Sequence, residues 1–68
     1  MAKTATPRKI IALIQKRGFV FTRQRGSHAV YVREHGRATI VVPMHARDIS
    51  KGTLGRILKV AGLTVGDL

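Results

Sequence analysis

Residues 19–42 are cut by glycines into three short runs rich in β-branched and aromatic side chains, and the joints between these runs are very short. Parallel neighbours need a crossover of about a dozen residues or more, so these runs must pair as antiparallel strands in a meander. Residues 19–25 read as the first strand, with Gly26 and Ser27 as its turn. Residues 29–33 are the second, Glu34, His35 and Gly36 a hairpin connection, and residues 37–42 the third, ended by Pro43. The alternation is imperfect. Phe19 and Phe21 share parity with Arg23 and Arg25, so either the charged end lies beyond the core or a bulge intervenes. The second strand is apolar on both faces, and parity does not say which one turns inward.

Helical spacing flanks this segment on both sides. Thr6 is a good N-cap and Pro7 suits a first helical position. Ile10, Leu13 and Ile14 then form an apolar stripe that Ile11 widens. Lys16 and Arg17 followed by Gly18 mark the stop, which predicts a helix over residues 7–17. After a polar loop, Ser50 is the expected N-cap of a second helix over residues 51–61. Leu54, Ile57, Leu58 and Ala61 fall at i, i+3, i+4 and i+7, and Gly62 closes it. The tail, residues 63–68, has room for one more turn. The order is α-β-β-β-α, an α+β class. Each helix has one apolar stripe, and both can bury it only on the same face of the sheet, leaving the other face to solvent. That is the two-layer arrangement of the double-stranded-RNA-binding domain.

Sixty-eight residues are room for a single domain spanning residues 1–68, and the absence of cysteine rules out disulfides and thiolate zinc sites as staples. A chain of this size buries only roughly 60% of its unfolded surface. No apolar run approaches the roughly 18 residues of a membrane span, and residues 1–6 are too short and polar for a secretory signal. The expectation is a soluble, cytoplasmic protein. Its charge points to a partner: 13 Lys and Arg stand against Glu34, Asp48 and Asp67, for a net charge of +10. The cations are spread through well-patterned apolar segments, as on a folded basic surface. Such a surface attracts polyanions, nucleic acid first, then an acidic protein, with an anionic membrane a distant third.

Three histidines, His28, His35 and His45, are candidates for chemistry. Their spacing matches no familiar metal-ligand pattern, and three scattered carboxylates are too few for a two-metal nuclease. Ser27 and His28 are neighbours in an extended chain, so they point apart and do not form a nucleophile–base pair. Cleavage of RNA without metal or other cofactor needs less. The 2′-hydroxyl is itself the nucleophile, so the protein supplies a base, an acid and cations near the phosphate. Histidine, with an ordinary pKa of about 6.5, suits the proton transfers, and Arg and Lys suit the charge that builds on phosphorus. Gly26-Ser27-His28, with Arg23, Arg25 and Arg33 near in sequence, is the most suggestive local feature. The same three residues also describe a plain hairpin turn before a half-buried strand histidine, and taken alone they favour that description. His45, after Pro43, is a second acid/base or a loop histidine.

Gly18-Phe19, Arg23-Gln24-Arg25-Gly26-Ser27-His28, Val42-Pro43-Met44-His45, Lys51-Gly52-Thr53-Leu54, Ile57-Leu58 and Ala61-Gly62-Leu63 together resemble the HicA family of toxins, in order and over nearly the whole chain. The resemblance implies a double-stranded-RNA-binding-like fold and an endoribonuclease, an mRNA interferase, that arrests growth. It also implies a HicB-type antitoxin, expected to be acidic, and places the catalytic histidine at His28. His45 fits the family's Pro-x-His pattern, with no catalytic role implied. The leading expectation is a metal-independent ribonuclease in which Gly26 and Ser27 shape the turn and Arg23, Arg25, Arg33 and Lys51 hold phosphates. The alternatives are a non-catalytic RNA-binding module of the same fold and an interaction module for an acidic protein.

Overall fold

The computed structural model describes residues 4–35 and 37–68; Gly36, in the expected hairpin connection, lies outside them. Helix α1 is Pro7–Lys16, strands β1, β2 and β3 are Val20–Arg25, His28–Arg33 and Ala38–Pro43, and helix α2 is Lys51–Ala61. A short 3-10 turn, Val65–Asp67, follows in the tail. The strands form one antiparallel sheet in the order β1-β2-β3. This is the expected α+β architecture, a three-stranded antiparallel sheet with both helices on one face.

Both helices start and stop for local reasons. The Thr6 hydroxyl accepts the Lys9 N–H at 3.2 Å and caps α1. At the other end Gly18, with φ 89°, donates to the Gln15 carbonyl, and Phe19 donates to the Ile14 carbonyl at 3.1 Å. Helix α2 ends alike: Gly62, with φ 73°, donates to Lys59, and Leu63 to Leu58. These are Schellman endings, in which a glycine takes the left-handed conformation and the next residue turns its side chain back onto the helix. Phe19 and Leu63 are accordingly buried. A Cβ on Gly62 would touch nothing within 4 Å, so Gly62→Ala isolates the backbone strain. It should lower stability by about 1–2 kcal/mol, read as a fall in melting temperature with an unchanged circular-dichroism spectrum.

Several boundaries differ from the sequence expectation. Helix α1 stops one residue early, because Arg17 has already left helical geometry. Phe19 is held by the α1 cap, so β1 begins at Val20. β2 gains His28, and β3 starts at Ala38 because Arg37, with φ 48°, closes a turn onto the Glu34 carbonyl. Pro43 does not end β3 from outside but is its last residue, opposite His28; a proline is tolerated there because β3 is an edge strand. Ser50 stands at the N-cap position of α2, yet its hydroxyl bonds the Thr53 hydroxyl at 3.0 Å instead of capping a backbone N–H.

The core lies between sheet and helices. Ala29 and Tyr31 of β2 and Ile40 and Val42 of β3 meet Ile10 and Ile14 of α1 and Leu54, Ile57, Leu58 and Ala61 of α2. Ala5 and Ile49, joined by a 2.9 Å backbone hydrogen bond, close one end. The inward face of β2 is therefore the one carrying Ala29 and Tyr31, which leaves His28, Val30 and Val32 on the open face. No described helix is long and apolar enough to cross a membrane.

Candidate active site

The open face of the sheet is organised by one irregularity. Pairing between β1 and β2 runs from Phe21 opposite Tyr31 directly to Arg23 opposite Val30, so Thr22 is an extra residue in the ladder. Because side chains alternate with period 2, one extra residue reverses the faces beyond it. Phe21 lies with Tyr31 at a ring separation of 5.7 Å, on the helical side. Arg23 and Arg25 are turned to the other. The bulge thereby resolves the parity conflict of the first strand.

Beyond the bulge the rows across the sheet are Arg25–His28–Pro43 and Arg23–Val30–Val41. Neighbouring strands lie about 4.8 Å apart, so Arg25 stands directly beside His28 and Arg23 one row further along the same face. Arg23, Arg25, His28, Val30, Thr39 and Val41 line one shallow depression. Val30, in its middle, is only 6% exposed although it faces away from the core. His28 itself is exposed, not half-buried.

The turn that presents His28 is tightly specified. Gly26 has φ 59°, and Ser27 is not among the residues of positive φ, the pattern of a type II′ two-residue hairpin turn, which calls for glycine at its first central position. The Gln24 side-chain amide donates to the Gly26 carbonyl at 3.0 Å. The Ser27 carbonyl accepts the Met44 N–H at 2.6 Å, which ties the turn to the chain leaving β3. One residue further on, the His45 ring stands with its centroid 6.0 Å from that of His28, at 77° to it. Residues 17 positions apart in sequence thus share one site.

The other expected site residues are not gathered here. Arg33 lies five residues further along β2, about 16 Å away. Its guanidinium carbon stands 4.7 Å from the Phe19 ring centroid and its Nη1 donates to the Arg17 carbonyl at 3.3 Å, so it fastens the end of α1 to the sheet. Lys51 is exposed on the first turn of α2, in the helical layer and not on the face of His28. His35 is exposed on the rim of a second depression, between Arg17, Val20, Val32 and Arg33, at the far end of the sheet. Among the described residues no three His, Cys, Asp or Glu side chains are grouped so as to hold a metal ion. The lining by Val30, Thr39 and Val41 was missed by sequence reasoning; with the inward face of β2 known, parity alone would have found it.

A family model described as the HicA toxin of bacterial toxin–antitoxin systems matches residues 7–63. The chain belongs to the HicA toxin family. It is thus the toxin member of such a pair, and a cognate antitoxin is its partner. The matched segment contains every residue of the site, from Arg23 to His45, and both helices of the fold. No curated protein matches the chain.

Proposed function

We propose that this HicA-family chain is a metal-independent endoribonuclease that cleaves mRNA, with His28 as a catalytic residue. The observation that carries the reading is the row Arg25–His28–Pro43 on the open sheet face: an exposed imidazole, fixed by strand pairing on both sides, with Arg23 and Arg25 beside it. The two guanidiniums hold the non-bridging oxygens of the scissile phosphate and offset the charge that develops there. His28 transfers a proton in the step in which the 2′-oxygen forms a bond to phosphorus and the bond from phosphorus to the 5′-oxygen breaks. The 2′-hydroxyl proton leaves to a base, the departing 5′-oxygen gains one from an acid, and the products are a 2′,3′-cyclic phosphate and a 5′-hydroxyl. Gly26 and Ser27 keep the turn low, so that a phosphate can approach the backbone. Lys51, in the other layer, adds to the basic field that draws RNA in. The partner is a HicB-type antitoxin with an acidic surface, which covers His28 and stabilises the toxin by mass action.

The test is cleavage of single-stranded RNA in the presence of a chelator, beside the same strand carrying a 2′-deoxy sugar at each mapped cut site. Ordinary RNA should be cut to products ending in cyclic phosphate, and the deoxy-substituted strand should stay intact. Equal cleavage of both strands would refute the 2′-hydroxyl mechanism. Binding without cleavage of either would make the chain an RNA-binding module.

A further inference from the structure

The placement of His45 is the feature of the molecule that the reading above leaves unused. Three constraints converge on it. Pro43 pairs with His28 and brings β3 to its end beside the hairpin turn. The Met44 N–H then bonds back to the Ser27 carbonyl at 2.6 Å, so the chain leaves the sheet at a defined angle. The next side chain, exposed His45, meets His28 with a ring-centroid separation of 6.0 Å. That separation is measured between ring centres, so the facing ring atoms stand closer than it, yet no hydrogen bond joins the two imidazoles. Among the described residues neither ring's nitrogens are committed to a hydrogen bond, so each can reach a different oxygen of one group bound across the pair. A histidine that served only to orient His28 would touch its ring nitrogen, and one that served the fold would be buried or bonded to backbone. His45 is neither.

We infer that His45 is the second proton-transfer group of this site. One of the two imidazoles, neutral, accepts the proton of the 2′-hydroxyl as the bond from the 2′-oxygen to phosphorus forms. The other, protonated, donates to the 5′-oxygen as its bond to phosphorus breaks. Each turnover leaves the two histidines with their protonation states exchanged, and solvent resets them. On the packed strands the charged residues beside the pair are Arg23 and Arg25 of β1; the β3 residues facing it, Thr39, Val41 and Pro43, carry no charge. The inference rests on the ribonuclease reading and adds to it a residue and a division of labour.

The experiment compares wild-type protein with His28→Ala, His45→Ala and His45→Gln on two substrates. One is ordinary RNA; the other carries sulfur in place of the bridging 5′-oxygen at the mapped cut site. A thiolate leaves without a proton, so loss of the acid is repaired by the sulfur substrate and loss of the base is not. Both His45 variants should cut ordinary RNA about 10²–10⁴-fold more slowly, with unchanged RNA affinity and melting temperature because the side chain is exposed. The sulfur substrate should restore the rate for either the His45 variants or His28→Ala, and not for both. His45 variants that cut ordinary RNA at the wild-type rate, or sulfur rescue of neither histidine, would overturn the pairing. If that happens while His28→Ala is inactive, the ribonuclease reading stands without it; inactive wild-type protein removes both.

Discussion

His28→Ala should bind RNA as the wild type does and cleave it about 10²–10⁴-fold more slowly, the usual worth of a positioned acid or base. The expectation of unchanged binding follows from the geometry. Polyanions are bound by a basic surface mainly through counterion release from Lys and Arg, this chain has a net charge of +10, and the guanidiniums beside His28 stay in place when the imidazole is removed. The fold should be indifferent as well. His28 is exposed, and its strand pairing with Arg25 and Pro43 is made by backbone. Filter binding at two salt concentrations, a melting curve and a cleavage time course on one preparation separate the three quantities. A variant that cleaves at the wild-type rate would remove His28 from the chemistry. One that loses binding and cleavage together would make it an RNA contact instead.

Ile14→Ala should produce the largest loss of stability. The side chain is fully buried at the C-terminal end of α1, in the core cluster shared by sheet and helices. Truncating such a residue costs about 2–5 kcal/mol through lost transfer energy and the cavity left behind. A core this small supplies only roughly 3–5 kcal/mol of net stability when no disulfide or metal assists it. The substitution should therefore leave much of the chain unfolded at 37 °C, seen as lost helical ellipticity and a melting temperature lowered by more than about 10 °C. Val41→Ala, on the open face and 46% exposed, is the matched control and should shift the melting temperature little. Equal effects of the two substitutions would mean that the helices do not pack on the face assigned to them. A cognate antitoxin, by binding only the folded toxin, should raise the apparent stability of either variant.

The architecture was legible because its signals are local. Thr6-Pro7, Gly18 and Gly62 set the helix limits through caps that involve no distant residue, and the short joints forced the strands to pair antiparallel. Errors at the boundaries came from residues with two local options. Phe19 has the composition of a strand residue but serves the α1 cap, and Pro43 can close an edge strand as well as follow one. Within the site, the Gly26-Ser27 turn and the candidacy of His28 could be read from neighbouring residues. The family resemblance rested on those motifs, and membership in the HicA toxin family follows from the match over residues 7–63.

Sequence by itself determined the helices, the strand count, the antiparallel order and the basic character of the chain, because each depends on residues within a few positions of one another. Tertiary structure alone decided which side chains share the site. The single extra residue at Thr22 sends Arg23 and Arg25 to the face of His28; parity along one strand signals a conflict there, and only the register of the partner strand decides that a bulge resolves it. The same folding draws Arg33 away to Phe19 and brings His45 across 17 positions to stand beside His28. Those outcomes depend on strand register and on a backbone hydrogen bond between Ser27 and Met44, contacts that exist only once the sheet has formed.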